Sequence, residues 1–163
     1  MSLLADRRYR TTLGVALVVA ALDQMTKAIV ERSMTLHESI PLLPFLALTY
    51  ARNTGAAFSL LAHAPAALRL TLFLSVSVIA IGIVWRYVGR TDAAERWTLV
   101  GLGGVLGGAV GNLIDRACLG EVRDFIELHY RQWSWPVFNV ADASICVGVG
   151  LLLLMQPGRR LDA

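Results

Sequence analysis

Residues 97–115 read WTLVGLGGVLGGAVGNLID, an apolar run whose first acid is Asp115. A helix needs about 20 such residues to cross the hydrocarbon core of a bilayer, so this stretch predicts a membrane span. Three more segments match it in character, at about residues 12–31, 66–88 and 137–156. The glycines of the 97–115 run are spaced for close helix contact. Gly103, Gly107 and Gly111 recur at every fourth position, as do Gly104 and Gly108, and small residues at that spacing let a neighbouring backbone approach. The expected fold is an all-α membrane protein, a four-transmembrane-helix bundle in one domain over residues 1–163. A small extracytoplasmic β-sheet and a loop lid complete it.

Composition agrees. Hydrophobic residues make up 56% of the chain and charged residues 17%, against about 45–50% and about 25% in soluble domains. The net charge of +3 does not signal nucleic acid, because the arginines sit at the edges of apolar runs rather than on one basic face. Cys118 and Cys146 are too few for a disulfide framework and unpatterned for zinc. The three histidines are scattered, and no H-E-x-x-H, C-x-x-C or G-x-S-x-G motif occurs, so neither a metal nor a cofactor is expected.

The first segment begins after Arg7, Arg8 and Arg10 and imitates a signal peptide. Its apolar pattern resumes past Asp23 and Lys27 at 28–30, which favours a retained helix. Lys/Arg bias orients the bundle. One side receives eight arginines (Arg7, Arg8, Arg10, Arg86, Arg90, Arg96, Arg159, Arg160), the other five (Arg32, Arg52, Arg116, Arg123, Arg131). Both termini are therefore expected in the cytoplasm, with Trp85 and Trp97 flanking a short cytoplasmic loop. The outer loops, about 32–65 and 116–136, carry structure of their own. FLALTYA (45–51), the turn signal Asn53-Thr54-Gly55 and AAFSLL read as a short hairpin. EVRDFIELHY (121–130) alternates as a strand, with Val122, Asp124, Ile126 and Leu128 on one face. Trp133 and Trp135 would anchor this sheet at the lipid interface.

Ionisable residues inside spans are costly and mark functional candidates. Asp23 and Lys27 lie four apart, acid first, the favourable order for a pair. Asn112 and Arg116 share a face at the end of the third span, with Asp115 beside them and open to a cation. Asn139 and Asp142 share a face where the fourth span begins. A helix N-terminus accepts a carboxylate, so Asp142 reads equally as a cap. If the 121–130 strand returns over the bundle, Asp124 meets Asp142. Two adjacent carboxylates share a proton, one activating a water and the other protonating a carbonyl oxygen. Two other classes stay open on these residues: a proton-coupled carrier using the same acids, and a non-catalytic scaffold.

Five blocks in order carry a resemblance across nearly the whole chain: LDQMTKAIV (22–30), RNTGAAFS (52–59), GGAVGNLIDR (107–116), VRDFIE (122–127) and FNVADASICVG (138–148). The chain resembles the bacterial lipoprotein signal peptidases (signal peptidase II). The resemblance implies an aspartic endopeptidase of the bacterial inner membrane, with its site near the periplasmic face. Its partners would be prolipoproteins with a lipidated lipobox cysteine, cleaved N-terminal to that cysteine, and membrane lipids, with the enzyme a monomer. It implies catalytic roles for Asp124 and Asp142 and supporting or substrate-binding roles for Asp23, Asn53, Asn112, Arg116 and Asn139. Lys27 falls in the first block without a clear role. Arg123 departs from the family, where an apolar residue often precedes the aspartate; strand alternation points it away from Asp124.

Overall fold

The computed structural model describes residues 5–54 and 65–155. In chain order these form α1 (Arg7–Ser33), β1 (Ser39–Leu43), β2 (Leu46–Asn53), α2 (Ala66–Val88), α3 (Arg96–Leu119), β3 (Val122–Tyr130), β4 (Trp133–Ser134) and α4 (Val140–Leu154). Three helices, α1, α2 and α3, are long and apolar enough to cross a membrane. α4 is apolar but 15 residues long over its described part.

α3 is the axis, and its glycines are the reason. A methyl placed on Gly103 would meet the Thr12 carbonyl at 2.8 Å, and one on Gly107 the Ala16 carbonyl at 2.6 Å. Those two glycines, with Gly111, seat α1. On another face, Gly108 lies against the Ala141 carbonyl and Gly104 lies near Ser144, so α4 packs equally close. Lipid tails are as apolar as leucine, so helices in a bilayer associate through this close dispersion contact and through polar bonds rather than by escaping water. α2 joins through Val84 and Val88, which pack with Leu102, Leu106 and Ala16.

The outer surfaces are dominated by apolar side chains. Leu17, Met25 and Ile29 on α1, Val76, Ile79 and Ile83 on α2, and Val147, Leu153 and Leu154 on α4 are all exposed. Apolar surface on that scale is stable against lipid and not against water. The chain is a multi-pass membrane protein.

Helix ends follow local chemistry. α1 starts at Arg7, ahead of the expected span, because Asp6 caps it by accepting the Arg8 N–H. α3 runs on to Leu119 and stops at Gly120, whose φ of 76° is left-handed and suits glycine. The fourth segment begins later than the expected residue 137. Pro136 precedes it, and Phe138 is extended, paired with Ile126 of β3.

The sheet is antiparallel in the order β1-β2-β3-β4. β3 is close to the strand expected at 121–130. The hairpin differs from expectation: β2 turns back through Pro44 and Phe45 to β1, and its other edge pairs with β3. β1 was not foreseen because it is a fully exposed edge strand holding Pro41, a residue tolerated at edges and read from sequence as a breaker. The expected return strand AAFSLL, most of the RNTGAAFS block and that part of the proposed lid fall in 55–64, outside the described residues. Trp133 and Trp135 are exposed at the end of the sheet.

Candidate active site

The segment entering α4 brings two carboxylates together. Phe138 exchanges hydrogen bonds with Ile126 of β3, at 2.8 and 3.0 Å. That pairing lays the next residue, Asn139, beside Asp124, two positions back along β3. Asn139 caps α4 through a reciprocal box: its Oδ1 accepts the Asp142 N–H at 2.9 Å, and Asp142 Oδ2 accepts the Asn139 N–H at 3.3 Å. The cap role expected for Asp142 is therefore present. It uses one carboxylate oxygen. The other, Oδ1, accepts Asn112 Nδ2 at 2.8 Å.

Asn139 also reaches the second acid. Its Nδ2 donates to Asp124 Oδ1 at 2.7 Å, while Asn53 Nδ2 donates to Asp124 Oδ2 at 3.1 Å. One amide side chain thus holds Asp124 with its nitrogen and the Asp142 backbone with its oxygen. Asp124 is buried, and Asp142 is partly open.

Behind the pair lies a layer of buried charge. Lys27 and Asp23 are fully buried and paired at 2.7 Å. Lys27 Nζ also donates to Asn112 Oδ1 at 2.9 Å, which fixes that amide's orientation. With the ammonium on its oxygen, its nitrogen must face Asp142. Asp23 Oδ1 accepts the Ala141 N–H at 2.9 Å, so α1 satisfies an orphan donor at the start of α4. Gly111 makes room for it: a Cβ there would sit 2.5 Å from Asp23 Oδ2.

Burial and the negative charge of Asp142 push the Asp124 carboxyl from its ordinary 3.8 up to about 7, against the opposing hydrogen bonds from Asn53 and Asn139. The Asp124 carboxyl is therefore still partly protonated near neutral pH. In a pair of interacting carboxyls a proton belongs to the pair rather than to one residue.

Six of the seven residues expected at the site converge in one hydrogen-bonded group: Asp124, Asp142, Asn53, Asn112, Asn139 and, one step back, Asp23. Arg116 lies on the Asn112 face as its spacing predicts. Its bond goes to the Asn112 carbonyl, at 3.4 Å, and its guanidinium lies over Phe73, so it borders the pair without bonding either carboxylate. Asp115 finds the cations expected for it, Lys27 at 3.3 Å and Arg123 at 2.7 Å. Sequence reasoning passed over Gln24. It donates to Asp115 and to the Gly111 carbonyl and accepts from Arg123. Its signal was present, a polar residue inside a span beside Asp23. Arg123 turns away from Asp124, as alternation predicts, yet it is buried and bonded. Among the described residues no three His, Cys, Asp or Glu side chains are grouped to hold a metal ion.

Membrane-crossing helices carrying a linked carboxylate pair at one end define an integral membrane protein built around two acids. Known proteins narrow that class. Residues 15–156 match the family described as signal peptidase (SPase) II. The chain is 47% identical over 152 residues to a lipoprotein signal peptidase of Syntrophotalea carbinolica, covering 91% of this chain and 92% of the relative. It is 44% identical over 142 residues to one of Aquifex aeolicus, covering 87% and 83%. A solved structure described as a bacterial membrane enzyme superposes with a TM-score of 0.77 at 33% identity, covering 88% of this chain and 90% of the other. The chain belongs to the signal peptidase II family.

Proposed function

We propose that the protein is an aspartic endopeptidase that removes signal peptides from diacylglyceryl-modified prolipoproteins, cleaving N-terminal to the lipidated cysteine, with Asp124 and Asp142 as the catalytic pair. The observation that carries this reading is the Asn139 side chain, which bonds Asp124 and the Asp142 backbone at once. The ionised member takes a proton from water as the water attacks the scissile carbonyl carbon. The neutral member gives its proton to the carbonyl oxygen. As the resulting diol collapses and its C–N bond breaks, the acid that took the water's proton gives it to the departing nitrogen, and the other carboxylate takes a proton from a diol hydroxyl. Asn53 and Asn112 orient the acids. Arg116, with donors beyond its bond to the Asn112 carbonyl, positions the substrate carbonyl.

The wider setting belongs to the same reading. α4 serves as a fourth span, both termini face the cytoplasm, and the acids lie near the periplasmic face, as the arginine bias suggests. An apolar signal peptide and a diacylglyceryl cysteine both reside at lipid level, and the carboxylates, one on β3 and one in the first turn of α4, meet the peptide bond where water is available. The protein acts as a monomer.

Asp124→Asn and Asp142→Asn test the reading. Purified in detergent and given a diacylglyceryl-modified pre-lipoprotein, each is expected to lose cleavage by about 10²-fold or more while remaining folded. EDTA should leave the wild-type rate unchanged. Near-normal cleavage by either variant refutes the pair.

A further inference from the structure

We propose that Arg123 is a positioning residue for the carboxylate pair, acting through Asp115 and Lys27 on the Asn112 amide. The inference rests on the reading of Asp124 and Asp142 as the catalytic acids.

Asp23, Asp115, Lys27 and Arg123 form a buried cluster of charge. Asp23, Asp115 and Lys27 side chains are fully buried, and Arg123 is 10% exposed. Two acids face two bases, so the cluster is neutral, as buried charge must be to persist. The two bases divide the acids unequally. Arg123 takes Asp115 with Nε at 3.2 Å and Nη2 at 2.7 Å, and its backbone N–H adds a third bond at 3.0 Å. A forked guanidinium on a carboxylate is the strong form of this interaction. Its remaining arm reaches Glu31 of α1 at 2.8 Å.

The Lys27 ammonium donates a hydrogen bond to Asn112 Oδ1 at 2.9 Å and forms ion pairs with Asp23 at 2.7 Å and Asp115 at 3.3 Å. The contact with Asp115 is the longest because that acid is already served. The ammonium is thereby left close to Asn112. Asn112 Oδ1 also accepts Asn139 Nδ2 at 3.1 Å, so one oxygen gathers the two amides that hold Asp142 and Asp124. An ammonium on that oxygen polarises the amide and strengthens its Nδ2 as a donor to Asp142.

Without the guanidinium, Asp115 is an under-paired buried anion. Among the described residues the other cation in an ion pair with it is Lys27, which would move toward it and away from Asn112. The bond from Asn112 to Asp142 then weakens, and the amide is free to turn. No bond of the Arg123 side chain runs to Asp124 or Asp142; they run to Asp115, Gln24 and Glu31. The effect is transmitted, and it falls on the chemical step rather than on substrate docking.

The test uses Arg123→Met, Arg123→Lys and the double variant Arg123→Met/Asp115→Asn in detergent, with the diacylglyceryl-modified pre-lipoprotein. Arg123→Met is expected to lower kcat by about 10- to 100-fold, the scale of a misplaced catalytic group, with KM within about twofold. Arg123→Lys keeps the charge without the fork and falls between. The double variant removes the anion that draws Lys27 away, so it should recover about tenfold of the lost kcat. A purely structural role predicts the reverse, since the double variant has lost more bonds. The Asn112 side-chain amide resonance, assigned by its loss in Asn112→Asp, should shift in Arg123→Met and return in the double variant. That readout needs no turnover, so inactive wild-type protein would sink the peptidase reading and leave this inference testable. Wild-type kcat in Arg123→Met, a loss confined to KM, or a double variant no better than the single overturns it.

Discussion

Replacing Asp124 by asparagine should make the protein more stable above neutral pH while removing its activity. The carboxyl of Asp124 is raised from 3.8 to about 7 by burial and by Asp142. Below pH 4 the group is protonated in the folded and the unfolded chain, and it costs nothing. Between pH 4 and 7 the unfolded chain releases the proton that the folded chain keeps, so stability falls as pH rises. Above pH 7 both are ionised, and the folded chain carries the full cost of a desolvated carboxylate beside another. A displacement of roughly three units at about 1.4 kcal/mol each gives ~4 kcal/mol. Asparagine has no such charge. It presents one nitrogen where Asp124 accepted from an amide donor, at a cost of about 1–2 kcal/mol. The variant should therefore be weaker than wild type near pH 4 and stronger by ~2–3 kcal/mol at pH 8. Unfolding in detergent micelles, followed from pH 4 to 9 for both proteins, measures the gap. A gap that stays constant across this range, or an asparagine variant weaker at every pH, would refute the reasoning.

Three further outcomes concern the buried charges and the helix glycines. Asp23→Asn leaves the Lys27 ammonium short of one carboxylate and should lower stability by about 3 kcal/mol, read by unfolding in the same detergent. Gly111→Ala would bring a methyl against the Asp23 carboxylate and should cost about 1–3 kcal/mol. Gly14→Ala, in the same bundle, meets nothing within 4 Å and should be neutral or stabilising by up to about 1 kcal/mol. Equal effects from the two glycine substitutions would refute the packing account of α3.

Much of the architecture is local and was legible. The 66–88 segment is helical over the residues that its apolarity marks, and the alternation of 121–130 is a strand, because lipid burial and strand pleat each impose a period on neighbouring residues. The glycine spacing of α3 announced close packing. The site acids announced themselves by being charged beside or within spans. What the chain conceals is pairing between distant residues. β1 carries no burial pattern and holds a proline, so only its partner β2 reveals it. The start of α4 slipped from residue 137 to 140 because Phe138 answers to β3, not to its own helical neighbours.

Reading along the chain was enough to recognise a multi-pass membrane protein, three apolar segments that form helices long enough to span, and the few polar residues that had to find partners. The partners themselves emerge only from the folded chain. Asp124 and Asp142 are joined through an amide on α4's first turn. Arg123, which strand alternation only turns away from Asp124, is paired with Glu31 across 92 residues of chain. The physical reason is that a buried charge requires an opposite one nearby, and the sequence does not say which distant residue will supply it.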